Sequence, residues 1–437
     1  MAIRKVLHAA DIHLDSPLQK LDQYDNAPAQ KIRGATRRAL ENMTLLAIDQ
    51  QVDLVVIAGD LYDGDWTDQN TGLAFVAEAA RLVQAGIPLL VIRGNHDAAN
   101  QMTSSLPLPK NPDGSEIFLA TGKPESRFLE DLGIAVHGQS FRTRAERGNL
   151  AAKYPDSAAG MFNIGLLHTG LEGETSHAHY APCSPAQLTD KHYDYWALGH
   201  IHSRRDHAIP GGPPIVFSGN LQGRHIREQG PKGCVIIEID EKNQCQYAFH
   251  PLDVIRWHQC LLDVSEMAHR DEISDAYQQW LADTIETSDD RLVVARVRLV
   301  GRSKLHAALH RHEMAIRSDL QAISVASGAD LAWLEDIKIR TSMPKARSTP
   351  LNLDGPLESL NQVLAELRDD EALAKILESE LSGLQKKLPK ELKSDDQTAF
   401  PFSDPEWING LIESAAADVF GRLQEDEFDD ESTEALR

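Results

Sequence analysis

Cysteine is scarce: Cys183, Cys234, Cys245 and Cys260 are the only four in 437 residues, with no CxxC pair and no framework spacing. That argues against a disulfide scaffold and a structural zinc site, and suits reduced thiols in a cytoplasmic protein. Long apolar runs are missing as well. The N-terminal "MAIRKVLHAADIH" goes straight into a strand-like run with no signal-peptide core, and no later run approaches a membrane span. A soluble, unexported protein with no membrane partner is expected. Positive charge is also short, with 44 Lys and Arg against 66 Asp and Glu, net −22. Such a balance at first argues against a nucleic-acid partner, because duplex binding relies on cations that neutralise phosphates. The shortage is uneven: residues 351–437 hold 8 basic and 22 acidic side chains, leaving 36 and 44 for the first 350. The acidity is mostly C-terminal.

What is present is enough apolar material, 42% of the chain, for two or three domains. Residues 1–255 alternate short apolar runs with helical patterns, as in an α/β domain whose sheet is covered on both faces. Residues 30–50 place Ile32, Ala39, Leu40, Met43 and Ala47 on one helical face, and residues 70–85 do so with Leu73, Val76, Ala80 and Val83. Residues 98–160 read as surface loops around one strand, "IAVHGQSF". Residues 256–345 predict a second unit of strand, helix, strand, helix, strand ("HQCLLDV", "EISDAYQQWLADTI", "RLVVARVRLV", "LHAALHRHEMAIRSDL", "WLEDIKIRTS") with no chemical motif. Residues 346–424 predict helices. Leu357, Leu360, Leu364 and Leu367 begin a one-sided stripe, and Asp404 with Pro405 opens a further helix. Residues 425–437 are expected to be a disordered acidic tail.

Five apolar runs end in side chains that a buried strand excludes. "RKVLHAADIHLD" ends in Asp11 and His13, "DLVVIAGDLYD" in Asp60 and Asp63, and "LLVIRGNHDAAN" in Asn95, His96 and Asp97. "MFNIGLLHTG" ends in His168, and "YDYWALGHIHS" in His200 and His202. Sites in an open α/β sheet form at the carboxyl ends of strands, so these five ends should converge. Asp11, His13, Asp60, Asn95, His168, His200 and His202 are too many donors for one tetrahedral zinc, whereas a bridging carboxylate could hold two ions. Mixed imidazole, carboxylate and amide ligation points to Mn, Fe, Zn or Ni rather than Ca or Mg. Asp63 and Asp97 are either orienters of the ligands or simple caps. His177 and His179 are expected to be solvated loop histidines. Arg224, His225 and Arg227 in "GRHIRE" are expected to pair at the surface with Glu228 or nearby acids rather than meet a DNA backbone.

"DIHLD", "GDLYD", "GNHD", "HTG" and "GHIH", in that order, resemble the calcineurin-like metallophosphoesterases, and more narrowly the SbcD-like DNA repair exonuclease subunits. "FSGNLQGRHIREQGPKGC" resembles the YhaO-type proteins among them. The resemblance implies an α/β metallophosphoesterase sandwich (1–255), a small α/β capping domain (256–345) and a helical partner-docking segment (346–424). It implies two divalent ions, with Mn expected. One would be held by Asp11, His13, Asp60 and His202, and the other by Asp60, Asn95, His168 and His200. In-line attack on a phosphodiester phosphorus by a water that the cations activate is the implied chemistry. His96 would serve as the catalytic group, stabilising developing charge or protonating the leaving oxygen. The implied partners are DNA and an SbcC-like SMC-type ATPase, with a homodimer allowed. A phosphatase, a cyclic-nucleotide phosphodiesterase and a non-catalytic scaffold of the ATPase are the alternatives.

Overall fold

The structure is a computed structural model of the 437-residue chain, and it describes residues 3–16, 31, 34–63, 69–98, 106–172, 180–328, 330–344 and 376. The expectations for 346–424, apart from residue 376, those for 425–437, and His177 and His179 lie outside the described residues.

Two compact units emerge, and they do not follow a single break in the chain. The first comprises Met1–Gln259, Asp283–Ala295 and Ser327–Glu335. The second comprises Cys260–Ala282, Arg296–Ala326 and the described part of Asp336–Arg437.

The first unit is built on two sheets. One joins β1 (Arg4–Ala9), β2 (Leu54–Ile57) and β3 (Leu89–Val91) in parallel, then β10 (Gly233–Ile239) and β11 (Cys245–Pro251) antiparallel, in the order β11-β10-β1-β2-β3. The other contains β4 (Glu125–Leu129), β5 (Ile134–Gly138), β6 (Phe162–His168), β7 (Tyr195–Gly199), β8 (Arg205–Asp206) and β9 (Ile215–Phe217), in the order β4-β5-β6-β7-β9-β8. Here β5, β6, β7 and β9 run parallel. Every residue of β2, β3, β5, β6 and β7 is buried. Their continuous apolar runs are what parallel strands covered on both faces require.

Three layers of side chains do the covering. Leu7, Val55, Ile57 and Leu89 pack on Leu40, Met43 and Ala47 of α1 (Ala35–Asp49) and on Phe75, Ala79 and Leu82 of α2 (Gln69–Gln84). The opposite face of the same strands, with Val6, Leu54, Val56 and Leu90, meets Val136, Ile164, Leu166 and Ala197 of the second sheet. Beyond that sheet, Leu167, Trp196 and Phe217 are covered by Leu150, Tyr154 and Leu188, the last from α3 (Pro185–Thr189).

Three local expectations need correcting. The two sheets are those of the expected sandwich, where the apolar runs alone suggested a single sheet, because the runs before and after residue 100 pair among themselves. The buried face of α2 is Phe75, Ala79 and Leu82, about one residue round from the expected stripe, and Leu73 is 48% exposed. Adjacent apolar stripes compete there, and burying a phenyl ring contributes about 1.5–3 kcal/mol, so Phe75 sets the rotation. Residues 98–160 hold two strands, β4 and β5, rather than one.

Three strands pass through both units in the order β12-β13-β14: β12 (Ile255–Asp263), β13 (Leu292–Arg302) and β14 (Ala332–Ser342). Their ends are tied by Val264 N–H to Val300 O (3.0 Å) and Ser303 N–H to Ser342 O (2.9 Å). In the second unit, α4 (Asp271–Glu286) and α6 (Glu313–Ala326) are joined by Tyr277 Oη and Ser324 Oγ at 2.8 Å. The helix expected over 305–320 is broken: α5 (His306–Arg311) ends at His312, whose φ of −109° and ψ of 26° leave the helical region before α6 starts.

Candidate metal centre

The polar strand ends sit on a tightly knit main chain. Asp11 N–H donates to Gly59 O and His13 N–H to Asp60 O, both at 3.0 Å, and Thr169 N–H donates to Gly199 O at 3.1 Å. Turning Asp11, His13 and Asp60 inward takes φ values of 50°, 46° and 51°, and His200 stands at 103°. Such left-handed backbone costs a residue with a Cβ about 1–2 kcal/mol, and clusters of it mark functional sites. The glycines of the motifs leave the room. A Cβ on Gly94 would lie 2.2 Å from Asp60 Oδ1, and one on Gly199 would lie 2.1 Å from Ala58 O.

Five strand ends therefore meet, three from the first sheet and two from the second. Three groups of potential ligands have donor atoms within 4.8 Å of one another: Asp11 with His13 and His202, Asp60 with His168 and His200, and His13 with Asp60 and His96. Asn95 belongs with the second group, its Oδ1 lying 3.0 Å from His168 Nε2. Asp60 stands between the groups, with Oδ2 at 3.4 Å from His168 Nε2 and 3.9 Å from His13 Nε2. Its Oδ1 accepts the His96 N–H at 2.9 Å.

The tautomers follow from what each outer nitrogen meets. His168 Nδ1 donates to Ala58 O (2.9 Å) and His202 Nδ1 to Glu228 Oε1 (2.7 Å), while His13 Nδ1 faces Asp63 Oδ1 at 3.5 Å. The Nε2 atoms of all three rings then face the centre. His13 Nε2 and His202 Nε2 are 3.1 Å apart. Two imidazole nitrogens that close, beside the buried Asp11 and Asp60 carboxylates, make a donor set that fits divalent ions. Burial pushes His13 down to about 3, helped by Arg224, which keeps its ring neutral. Burial also opposes charge on His168, but the adjacent Asp60 and Asp11 carboxylates outweigh it and raise the group to about 9. Positive charge is therefore favoured beside Asp60 and Asp11 and disfavoured at His13.

The remaining expected residues separate by what they touch. Asp97 accepts from the main chain of Leu61 (3.0 Å), Tyr62 (2.9 Å) and Gly94 (3.2 Å), bracing the loops that carry Asp60 and Asn95. Burial and the Asp60 charge raise its carboxyl to about 6. Asp63 takes Ser16 Oγ (2.6 Å) and His96 Nδ1 (2.9 Å) on separate oxygens. His96 itself is 40% exposed. Burial opposes its protonation, but the Asp63 bond prevails and its pKa is raised.

Glu228 is the residue that sequence reasoning missed. It is 5% exposed and accepts from His202, from Arg224 Nη2 (3.1 Å) and main-chain N–H (2.7 Å), and from Asn220 Nδ2 (3.0 Å). The expected pairing of Arg224 with Glu228 exists, but it is buried beneath His202 rather than at the surface. The available signal was the density of charge in "GRHIREQGPKG" between two apolar strands.

Comparison with known proteins agrees with this arrangement. Residues 4–204 match the calcineurin-like phosphoesterase family, and residues 257–342 match the middle domain of metallophosphoesterase YhaO. The chain is 34% identical over 262 residues to an uncharacterized metallophosphoesterase YhaO of Bacillus subtilis, covering 60% of this chain and 63% of that one. It is 27% identical over 251 residues to a DNA double-strand break repair protein Mre11 of Sulfurisphaera tokodaii, covering 55% and 60%. With a subunit of the nuclease SbcCD from Staphylococcus epidermidis it shares 23% over 281 residues, covering 58% and 70%. The chain thus spans less than two thirds of the length of the first two relatives.

Proposed function

We propose, from the match of residues 4–204 to the calcineurin-like phosphoesterase family, that the chain is a dinuclear-metal phosphodiesterase, a nuclease acting at DNA ends in repair with an SbcC-like ATPase. The observation that carries the reading is the convergence of His and Asp side chains, with Asn95 beside them, in groups whose donor atoms lie within 4.8 Å of one another. Asp11, His13, Asp60 and His202 would hold one ion, and Asp60, Asn95, His168 and His200 the other. Two such ions, of which Mn suits the donor types, would supply charge neutralisation at phosphate and an activated water.

The chain's own residues do the rest. Asn95 adds an oxygen without a further negative charge beside the phosphate. Glu228 and Ala58 O hold His202 and His168 in one tautomer and ring orientation, as hydrogen bonds behind metal ligands do. His96, held by Asp63 at Nδ1 and open to solvent, protonates the leaving oxygen, and its raised pKa supports that role. The DNA substrate and the ATPase partner are supported by the Mre11 and SbcCD relatives, with residues 346–424 as the docking segment. A cytoplasmic setting is supported by four unpaired cysteines. Among the described residues no helix is long and apolar enough to cross a membrane.

The test is an Mn-supplemented assay of single-stranded DNA, duplex DNA and a small phosphodiester ester side by side. Cleavage of the DNA substrates is expected. Hydrolysis of the small ester alone would point to a phosphatase or cyclic-nucleotide phosphodiesterase, and no hydrolysis at full metal occupancy would leave a scaffold.

A further inference from the structure

In the second unit, cations gather on one surface of the three-stranded sheet. In β13 the buried Val297 and Leu299 alternate with Arg296, Arg298, Val300 and Arg302, and in β14 the buried Ile337 is followed by exposed Lys338 and Arg340. Alternation along a strand separates two faces. Ile273 and Tyr277 of α4 and Ile316 and Leu320 of α6 are buried in the same unit. The other face carries the arginines and Lys338, with Leu261 of β12 at 58% exposure among them.

Arg298, Arg302, Lys338 and Arg340 stand there beside Asp263 and Asp336, and Asp336 is met by Arg317 of α6 as well, in a chain whose net charge is −22. Lys338 Nζ meets Asp336 at 2.7 Å. Arg298, Arg302 and Arg340 meet no carboxylate among the described residues. Like charges held side by side repel, and a polyanion laid across them relieves the repulsion.

We propose that the occupant is an acidic run of this same chain, "EDEFDDESTE" at 425–434, which carries seven carboxylates in ten residues. Charge complementarity selects it, and the tether favours it over an external polyanion. About eighty residues separate the end of β14 from Glu425, contour enough to reach any point of the face. A covalently attached ligand acts at an effective concentration set by its linker, which solution ligands at micromolar levels do not match. An external polyanion must also approach a molecule of strongly negative net charge. The face is thereby self-neutralised, and a nucleic acid or other polyanion reaches it only by displacing the run.

Lys338 makes the contact chemically readable, because a carbodiimide joins an amine to a carboxylate it already touches. With the full-length protein at low salt, peptide mass spectrometry of the monomer should find Lys338 joined to the 425–434 peptide. Arg298→Glu with Arg340→Glu, which alters neither joined partner, should cut that yield by roughly tenfold. Raising the salt to 1 M, where screening acts within about 3 Å, should do the same. Arg298→Gln with Arg340→Gln should give an intermediate yield and keeps the comparison if the double glutamate variant melts early. Excess heparin should compete the product away. A yield indifferent to the arginines, Lys338 joined to Asp336 alone, or the product found only in cross-linked dimers would overturn the assignment. The last result would make a second copy the occupant.

Discussion

The two halves of the candidate metal centre are held in different ways. Around His168 the support is largely main chain: Nδ1 bonds Ala58 O, and Gly94 and Gly199 pack with no room for a Cβ, while the Asp97 carboxylate clamps three backbone N–H groups. Around His13 and His202 it is side chain, through Asp63, Glu228, Arg224 and Ser16. A ligand oriented by backbone is secured by the fold and is lost only with it. One oriented by a salt-bridged network can be altered one residue at a time. The first half should therefore resist conservative substitution of its surroundings, and the second should respond in graded steps.

The largest effect is expected where the halves join. Asp60 faces both, so Asp60→Asn should lower hydrolysis by roughly a hundredfold or more, beyond the 10–100-fold typical of residues behind the ligands. Asp63→Asn, which leaves every inward donor atom in place, should fall within that range. Steady-state rates at matched metal occupancy decide the matter, and equal losses for the two variants would mean that the bridge is misassigned.

Next comes the group that stands apart from both halves. His96→Ala should leave two ions per chain by mass spectrometry while turnover falls by about 10²–10⁴, the usual worth of a general acid. Asn95→Ala should instead weaken the ion on the His168 side. Loss of both ions from folded His96→Ala protein would make His96 a ligand, a role its grouping with His13 and Asp60 permits on distance alone.

Glu228→Gln separates the halves most cleanly. The amide can still touch His202 but no longer offers a buried carboxylate to its Nδ1–H and to Arg224. Affinity for one ion should drop by about 10–100-fold, and the His168 side should keep its own. A titration that turns from two equal sites into one tight and one weak site is the expected result, whereas parallel weakening of both would erase the distinction.

How much of this was legible in the sequence follows the same division. Asp11, Asp60, Asn95, His168 and His200 stand at strand exits, where an apolar run breaking into polar residues is visible without coordinates. Their convergence from two sheets is not visible, because strand pairing is decided by contacts far apart in sequence. Glu228 was invisible as a partner of His202, 26 residues away and on a different loop. The rotation of α2 failed for another reason: two adjacent apolar stripes look alike until the bulk of Phe75 meets a particular gap in the core.

The smallest effect on the centre, and the one that reaches the backbone-held half from below, concerns His8. This side chain is fully buried between the sheets, with Nε2 3.2 Å from Leu198 O and Nδ1 3.2 Å from Tyr195 Oη, on the strand that delivers His200. Burial lowers its pKa from 6.5 to about 3, against a smaller opposing pull from the Leu198 carbonyl. The unfolded chain then binds a proton below pH 6.5 that the folded chain refuses until about pH 3. Stability from this group is complete above pH 6.5 and declines as the pH falls toward 3. Between pH 7 and pH 5 the loss amounts to about 2 kcal/mol at most. His8→Gln keeps a donor and an acceptor but does not titrate, so its denaturant midpoints should fall less steeply over that interval than those of the wild type. Rates at pH 7 should change little, since no ligand is touched. Identical pH slopes for the two proteins would mean that the cavity admits the charged imidazole, and that the sheet beneath His200 is less rigid than its main-chain bonds indicate.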